Sequence, residues 1–543
     1  MIGEPPLVRP MTPQGNQPVF ILQEGTEQRR GKTAQDNNIS AAIAVGDAVK
    51  STLGPKGMDK MLVDSTGGVI ITNDGATILR EAGIEHPAAK MVVEVSQTQE
   101  ARCYDGTTSA VVLSAELLRQ SQALLDKGIH PTTITRGYQR ALAYALNALG
   151  ELSTLKRPPL ALLAATSLTG KSAESSRKLL ANLCSEAIDW AMDVDRVNIV
   201  PVVAGDTGDT YLHKGVVLEK DKAHPAMPDC APKAKVALLS CGIEVKKSAI
   251  ESQVQITDPA QIAAFLAEEE EGLKRMVNVL VEQGVNVVVS QKGIEDLAQH
   301  YLRRAGVLAI EKVTRGDLDA LASSMGGSIV SDLDDFRADD VCDGEVTVRK
   351  VGDHPLVFFL AHTDSAKRTC TILAHGSTSQ VAAEVERALD DALGVVHLSR
   401  TNEARFVCGA GSIEAALATG IELSKTDIAV GRERMAVEAF SKALWSIPET
   451  LATNAGLDPV DVVLAVEAKH RSGEHTVGVN VEAEIDGGSM NYTIDAEARE
   501  IMEPEAVVRQ ALKSATEAAI MVLRIDDVIL MNKEKSMGPP MGM

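Results

Sequence analysis

Aromatic residues are scarce in this chain: 7 Phe, 6 Tyr and 2 Trp stand among its 543 residues. Its hydrophobic cores must therefore be built mainly from aliphatic side chains. Long apolar runs are missing as well, since no stretch approaches the roughly 18 uncharged apolar residues of a membrane span. The N-terminus lacks a basic segment followed by an apolar one, so we expect no secretory signal and a cytoplasmic location.

Disulfide and zinc-binding patterns are also lacking. The seven cysteines are an odd number, the closest two stand eleven residues apart, and none is paired with histidine at zinc spacing. We expect them to be free thiols in a reducing compartment. The net charge of −21 argues against non-specific binding to nucleic acid or to an anionic membrane.

Length and periodicity indicate several domains. The 543 residues suffice for three or four domains of about 150 residues each. Helical periodicity dominates from Asn38 onwards and again after residue 380, whereas buried strands such as 237–239 and 285–289 alternate with helices between them. The simplest arrangement is an α domain built from both termini with an α/β domain inserted. Residues 1–17, rich in proline and polar side chains, predict a disordered leader.

A break rich in glycine and proline interrupts the N-terminal helical pattern. The first helix is predicted to stop at Gly54-Pro55, because proline lacks an amide donor and glycine opens a turn. Val69–Thr72 predicts a strand of a hairpin, with Asn73-Asp74-Gly75 as its turn. His86-Pro87 then begins the next helix.

Two aspartates next to glycine precede predicted helices. Asp105 stands before Gly106, at the start of a helix predicted over 107–126, where free N–H groups and hydroxyls suit an anion. A carboxylate there suits Mg²⁺, which binds through one or two carboxylates and phosphate oxygens. Asp74 is in a similar place. The residues alone leave open whether these are phosphate and Mg²⁺ sites or only turns and helix caps.

The segment 166–172 (TSLTGKS) resembles the end of a P-loop. Its leading glycine is replaced by Ala165, and an apolar helical run precedes it where a P-loop has a strand. We therefore predict no P-loop, although Lys171 could reach a phosphate held by other segments.

Longer motifs resemble the group II chaperonins of the archaeal thermosome type. The match runs from about residue 18 to the end of the chain, where Gly538–Met543 is similar to the family's Gly/Met tail. The segments that carry it, in order, are Asn38–Asp64, Thr72–Leu79, Glu85–Lys90, Asp105–Val112, Gln291–His300, Val385–Leu393, Asn454–Pro459 and Ser514–Ile529.

This resemblance implies a mixed α and α/β fold with three domains in each subunit of a closed double ring. It implies identical or paralogous subunits as partners, non-native proteins as clients, and neither nucleic acid nor membrane. The implied boundaries are 18–158 and 409–543 for the mainly α equatorial domain, 159–226 and 373–408 for the intermediate domain, and 227–372 for the inserted α/β apical domain.

A helical protrusion at about 244–269 would form a lid built into the apical domain. It overlaps a helix predicted from Asp258-Pro259 to about Val281, which has more apolar positions than one packed face needs. The apolar positions expected to be exposed on the protrusion are Ile250, Val254, Ile256, Phe265 and Leu266.

The resemblance also implies Mg²⁺-dependent ATP hydrolysis, with ATP or ADP as ligand. Asp105 would bind Mg²⁺, and Asp74 and Asp391 would orient and deprotonate the attacking water, Asp391 arriving when the intermediate domain closes. The residues expected around the phosphates are Leu53, Gly54, Pro55, Gly106, Thr107, Thr108, Ser109, Gly170 and Lys171, with Lys171 sensing the γ-phosphate. Those expected around the rest of the nucleotide are Gly409, Ala410, Gly411 and Glu503.

Two positions at the expected site depart from the family's pattern. Tyr104 precedes Asp105 where the family has glycine, and Ala410 replaces the middle residue of a triple glycine. In a backbone with φ above zero, Tyr104 either packs its ring away from the nucleotide after a loop shift or obstructs the site. Both alternatives predict that Tyr104→Gly raises the ATPase rate.

The departures leave two functions open. The first is an ATP-driven folding chamber, and the second is a specialised or structural subunit of a mixed ring with slow ATP turnover. A scaffold unrelated to chaperonins would need the lid or the site carboxylates to be missing, and both are present in the sequence.

Overall fold

The computed structural model describes residues 27–63, 65–171, 176–245, 259–361, 368–401, 403–483, 485–486 and 489–530. The α-helices within these ranges are Lys32–Lys50 (α1), Gly75–Glu81 (α2), Pro87–Cys103 (α3), Thr107–Asp126 (α4), Pro131–Leu152 (α5), Leu160–Leu168 (α6), Arg177–Ala191 (α7), Pro259–Glu282 (α8), Asp296–Arg304 (α9), Arg315–Met325 (α10), Ser379–Leu398 (α11), Ser412–Ile428 (α12), Arg432–Leu444 (α13), Ser446–Asn454 (α14), Pro459–Arg471 (α15) and Glu505–Leu523 (α16).

The strands in the same ranges are short for the most part. They are Glu27–Arg30 (β1), Lys60–Val63 (β2), Val69–Thr72 (β3), Val197–Val203 (β4), Tyr211–His213 (β5), Val216–Leu218 (β6), Cys230–Leu239 (β7), Val287–Ser290 (β8), Leu308–Ile310 (β9), Ile329–Val330 (β10), Cys342–Val351 (β11), His354–Ala361 (β12), Cys370–Gly376 (β13), Phe406–Cys408 (β14), Val477–Val479 (β15), Ile485–Asp486 (β16), Ser489–Met490 (β17), Thr493–Asp495 (β18), Met502–Pro504 (β19) and Asp527–Leu530 (β20).

A large buried cluster, mostly aliphatic, joins the two ends of the chain. It draws on residues 39–149 and 407–523, and its two aromatic members, Tyr138 and Phe440, pack edge to face. The last helix, α16, packs against α3, α4 and α5. Gln35 Nε2 donates to the Leu523 carbonyl over 3.0 Å, and β1 pairs antiparallel with β20. The N-terminal helices are therefore packed on the C-terminal ones.

The middle of the chain forms a mixed seven-stranded sheet. Its strand order is β6-β12-β11-β7-β8-β9, with β10 beside β7, and the pairs β7-β8 and β8-β9 are parallel. Val287, Val288 and Val289 of β8 are fully buried, which explains why that strand is a continuous apolar run without alternation. Helix α8 packs Leu273 and Leu280 into the same core.

A third cluster holds the helix that carries Asp391. It combines the sheet β4-β13-β5 with α6, α7 and α11. Thr378 caps α11, since its side chain accepts a hydrogen bond from Val381 N over 3.3 Å. The helix is therefore fixed at its N-terminus and along its buried face.

Two predictions of local structure are wrong. Helix α1 starts at Lys32, six residues before the predicted start at Asn38, because its polar first turns carry no apolar periodicity. The strand β3 pairs with β2, which precedes it, so 73–75 is not a hairpin turn. Asp74 caps α2 there, since its side chain accepts from two amides of the first turn.

Other sequence-based predictions are confirmed. Helix α4 spans Thr107–Asp126 as predicted, α3 begins at Pro87, and α8 covers Pro259–Glu282. All seven cysteines are free thiols. Among the described residues, no helix combines the length and apolar character needed to span a membrane.

The lid positions Ile250, Val254 and Ile256 lie outside the described residues.

Candidate nucleotide site

A cleft of about 170 Å³ forms where four loops of the chain meet α11. The loops follow α1, β3, α3 and α6, and each ends or starts a helix near the cleft. The residues proposed from the sequence that line it are Leu53, Gly54, Asp74, Asp105, Gly106, Thr107, Thr108, Ser109, Gly170, Lys171 and Asp391. Leu53 and Asp391, which are 338 residues apart in the sequence, thus share one cavity.

Asp74 is held rigidly by the helix that it caps. Its Oδ2 accepts from Thr77 N over 2.7 Å, and its Oδ1 accepts from Ala76 N over 3.3 Å. Thr107 Oγ1 donates to the same Oδ1 over 3.1 Å. The carboxylate therefore lies between the N-termini of α2 and α4, where a negative charge is favoured by the helix dipoles.

Asp105 lies in the three-residue link between α3 and α4. Gln99 Nε2 donates to the Asp105 carbonyl over 2.8 Å and to the Val507 carbonyl over 3.1 Å. Gly106, with φ 75, is the N-cap of α4 and provides no side-chain acceptor for the first-turn amides. These N–H groups and the Thr107 and Thr108 hydroxyls make this end of α4 suited to an anion.

Lys171 and Asp391 form an ion pair at the opposite wall of the cleft. Their side chains are 13% and 21% exposed. Burial raises the pKa of Asp391 to about 7; Lys171 opposes this shift, while Asp74 and Asp105 reinforce it. Burial acts to lower the pKa of Lys171, but Asp391 and Asp105 outweigh it and the net shift is upward, so the lysine is charged at neutral pH.

The loops approach one another so closely that glycine is required. Gly170 has φ 81, and a Cβ atom there would lie 2.6 Å from the Gly54 carbonyl oxygen and 3.0 Å from Pro55 Cα. Pro55 thus supports this contact from behind and does not line the cleft. Asn73 Nδ2 donates to the Gly170 carbonyl over 2.6 Å, which ties the loop after β3 to the loop after α6.

Gly409, Ala410, Gly411 and Glu503 lie beside the cleft and do not line it. Strand β19 places Glu503 opposite Val407 of β14, and Gly409 N donates to the Ile501 carbonyl over 2.9 Å. The side chain of Leu451 lies against both Gly54 and Gly411, so the two regions are adjacent. Burial, Glu414 and Asp105, in that order, raise the pKa of Glu503 well above its usual value.

Both departures from the family's pattern lie in left-handed backbone. Tyr104 has φ 60 and Ala410 has φ 57, a region that favours glycine. The ring of Tyr104 lies on Gly394 of α11 and is absent from the residues that line the cleft. This geometry favours the alternative in which the ring packs away from the nucleotide.

Several residues around the cleft were not proposed from the sequence. Thr52, Thr166, Ser167 and Thr169 line it. The last three belong to the segment that resembles a P-loop. Their hydroxyl groups, close to Lys171 in the sequence, are the feature from which a role at the cleft could have been predicted. Asn454 Nδ2 donates to the Leu53 carbonyl over 2.8 Å, a contact between helix ends 401 residues apart that no local pattern could reveal.

The residues of the cleft fit a Mg²⁺–polyphosphate ligand. Among the described residues, no group of three or more His, Cys, Asp or Glu is placed to hold a metal without further ligands. Mg²⁺ needs no such group, because one or two carboxylates with phosphate oxygens and water complete its shell. Asp105 would supply the carboxylate, and Lys171 and the α4 amides would supply positive counterparts to phosphate.

A helical core built from both ends of the chain, an inserted mixed sheet and this acidic cleft describe a chaperonin subunit. The model of the TCP-1/cpn60 chaperonin family matches residues 45–533, so the chain belongs to this family. It is 44% identical over 541 residues to thermosome subunit alpha of Thermoplasma acidophilum, which covers 97% of this chain and 96% of that protein.

Two further relatives are similar over nearly their whole length. A thermosome subunit of Methanopyrus kandleri is 45% identical, with 94% of each chain covered. Thermosome subunit beta of Thermoplasma acidophilum is 43% identical, with 94% of this chain and 95% of that protein covered. The resemblance to archaeal thermosome subunits is thereby confirmed.

Proposed function

We propose that the chain is a subunit of an ATP-dependent molecular chaperone. It encloses non-native proteins in a double ring of identical or paralogous subunits, and its lid closes with ATP hydrolysis. The observation that carries this proposal is the convergence of Asp74, Asp105, Asp391 and Lys171 on one cleft at the N-terminus of α4.

The residues of the cleft suit phosphoryl transfer, in which positioning and charge neutralisation do most of the work. Leu53, Gly54 and the α4 amides bind the phosphates. Asp105 would hold Mg²⁺, which when bound would supply positive charge to offset that of the phosphates. Asp74, held in place by the hydrogen bonds with which it caps α2, orients the attacking water.

Asp391 accepts the proton of that water. A general base works best when its pKa lies near the working pH, and burial raises the pKa of Asp391 to about 7. Its partner Lys171 stays charged and is available to the transferred phosphate. Helix α11 packs in a different buried cluster from α3 and α4. A shift of α11 would therefore move Asp391 relative to Asp74 and Asp105. This movement would couple ATP hydrolysis to closure of the subunit.

A second candidate function is a specialised or structural subunit of a mixed ring with slow ATP turnover. The specific observation in its favour is that Tyr104 and Ala410 hold φ 60 and φ 57 where the family's pattern has glycine. Such backbone conformations are strained for residues with a side chain.

Steady-state ATP hydrolysis with and without Mg²⁺, combined with electron microscopy class averages with and without ATP, tests both candidates. The folding chamber predicts double rings of one chain that hydrolyse ATP and change shape with it. Rings that form only with a second subunit, together with slow turnover, support the specialised subunit. A monomer without ATPase activity contradicts both.

A further inference from the structure

Two residues near the cleft break the usual preferences of their secondary structure. Tyr104 ends α3 in a left-handed conformation, with φ 60 and ψ −8, which is unfavourable for a residue with a side chain. Gly394 lies inside α11, where glycine weakens a helix. The needs of α3 do not explain a tyrosine at position 104, and the needs of α11 do not explain a glycine at position 394.

One contact accounts for both residues. The ring of Tyr104 lies directly on the backbone of Gly394, so that a Cβ atom at position 394 would overlap Cγ and Cδ1 of the ring and lie 2.5 Å from Tyr104 Cβ. Only glycine at 394 admits the ring. Two locally unfavourable residues that meet in one contact indicate that the contact itself has a function.

The contact joins the loop that carries Asp105, the proposed Mg²⁺ ligand, to the helix that carries Asp391, the proposed general base. Asp105 directly follows Tyr104, and Asp391 lies three residues before Gly394, one turn earlier on α11. Helix α11 also meets this half of the molecule where Arg387 Nη2 donates to the Ile71 carbonyl over 3.4 Å. Val395, the next residue along α11, packs with Phe406 and Met502 in a small buried cluster. The Tyr104 contact is the one of these three that lies nearest to Asp391 along the helix.

We infer that Tyr104 is a positioning residue for Asp391: its ring, seated on Gly394, sets how closely α11 approaches the Asp105 loop. The catalytic part of this inference rests on the proposed ATPase function. Tyr104, although it departs from the glycine of the family's pattern, is thus one member of a matched pair with Gly394 that helps to build the site.

Substitution of the smaller partner is the first test. Gly394→Ala places a methyl group in the space that the Tyr104 ring occupies, which should move α11. We expect kcat at saturating Mg·ATP to fall at least tenfold, while KM changes less than threefold. Gly150→Ala is the matched control, because Gly150 is also helical but its added Cβ would meet only Arg509 Nη2, at 3.9 Å. It should keep the parental rate.

Substitution of the ring completes a double-mutant cycle. Tyr104→Gly removes the ring and should lower kcat about three- to tenfold, whereas Tyr104→Phe keeps the ring and should stay within twofold of the parent. In the Tyr104→Gly background, Gly394→Ala has no ring to overlap and should cost no more than twofold. An equal loss from Gly394→Ala in both backgrounds would overturn the inference.

Hydrogen exchange of α11 gives a readout that does not depend on activity. Alanine by itself strengthens a helix, so faster exchange over residues 385–398 in Gly394→Ala would report displacement of α11. Tyr104→Gly should also accelerate it and Tyr104→Phe should not. Parental exchange in both Gly394→Ala and Tyr104→Gly would refute the contact's role. A parental chain without ATPase activity would contradict the proposed function alone, and the exchange comparison would still decide the inference.

Discussion

Lys171 and Asp391 are 220 residues apart in the sequence and form a buried ion pair. Lys171 follows α6 and Asp391 belongs to α11, and these two helices pack against each other in one buried cluster. Asp74 and Asp105 come from loops of the N-terminal helices on the other side of the cleft. The pair therefore belongs to one packed unit and the loops that carry Asp74 and Asp105 to another, and the cleft lies between them.

The two aspartates Asp105 and Asp391 should have separable roles. We expect Asp105→Ala to weaken Mg·nucleotide binding, because it removes the carboxylate ligand of the metal. Asp391→Ala should keep binding and lower kcat about 10²-fold or more, because it removes only the group that activates water. Isothermal titration with Mg·ADP and steady-state ATPase assays measure the two effects.

A neighbouring carboxylate provides the control for that experiment. Asp390 lies on the same helix, is exposed and does not line the cleft. Asp390→Ala should hydrolyse ATP at close to the parental rate. ATP hydrolysis at the parental rate by Asp391→Ala would show that its assigned role is wrong.

ATP hydrolysis should depend on pH near neutrality. The pKa of Asp391 is about 7, and only the deprotonated carboxylate accepts a proton from water, so activity is lost as pH falls through that value. Between pH 6 and pH 8 the deprotonated fraction rises about tenfold, and kcat should rise with it. Asp391→Asn should abolish this limb of the profile, and a profile that is flat in the parent would contradict the assignment.

Gly170→Ala should weaken nucleotide binding about tenfold, which is about 1.4 kcal/mol. The added Cβ would lie 2.6 Å from the Gly54 carbonyl oxygen and push the loop 53–55 away from the cleft. Gly128→Ala is the control, because Gly128 also has positive φ, at 75, but open space around it. In thermal unfolding, Gly128→Ala should lose only the stability that an alanine at positive φ costs, and Gly170→Ala should lose more because of the overlap. Equal nucleotide affinity in the two variants would mean that the close approach of the loops is unimportant.

Removal of residues 249–268 should leave rings and ATPase activity largely intact and abolish encapsulation of a client. The deletion takes the segment that is proposed to form the lid, together with the first turns of α8. The rest of α8 keeps Leu273, Val277 and Leu280 in the core of the middle sheet. Protease protection of a captured client measures encapsulation; unaltered protection would refute the lid assignment.

Local signals explain which parts of the fold were predictable. His86-Pro87 marks the start of α3, and the apolar periodicity of α4 runs unbroken to Asp126, so their bounds follow from the sequence. The start of α1 does not, because a polar first turn is helical only through tertiary packing, as for buried Ala34 and Asn38. The partner of β3 was misassigned because a strand's pattern does not tell on which side its partner lies.

In the candidate site, too, some residues are indicated by local sequence patterns and others depend on tertiary packing. Aspartates beside helix starts make Asp74 and Asp105 candidates for a phosphate and Mg²⁺ site, although the same pattern also fits helix caps. Asp391 lies in an ordinary helical pattern and is proposed through the family resemblance alone. The Tyr104–Gly394 contact could not be foreseen, because it depends on the approach of two helices that the sequence does not encode locally. The sequence alone predicts that Tyr104→Gly speeds hydrolysis, whereas the inference that its ring supports α11 predicts slower hydrolysis, and the ATPase rate of this variant decides between the two.

The hydrogen bond from Gln99 to the Val507 carbonyl spans 408 residues and supports the loop that carries Asp105. Protein synthesis runs from the N-terminus to the C-terminus, so a nascent chain on the ribosome has already made Asp74 and Asp105 long before α16 emerges. Until then the Asp105 loop lacks its anchor and α3 and α4 lack a covering helix. A chain truncated before α16 should therefore be unable to retain nucleotide, which makes nucleotide retention a marker of complete translation.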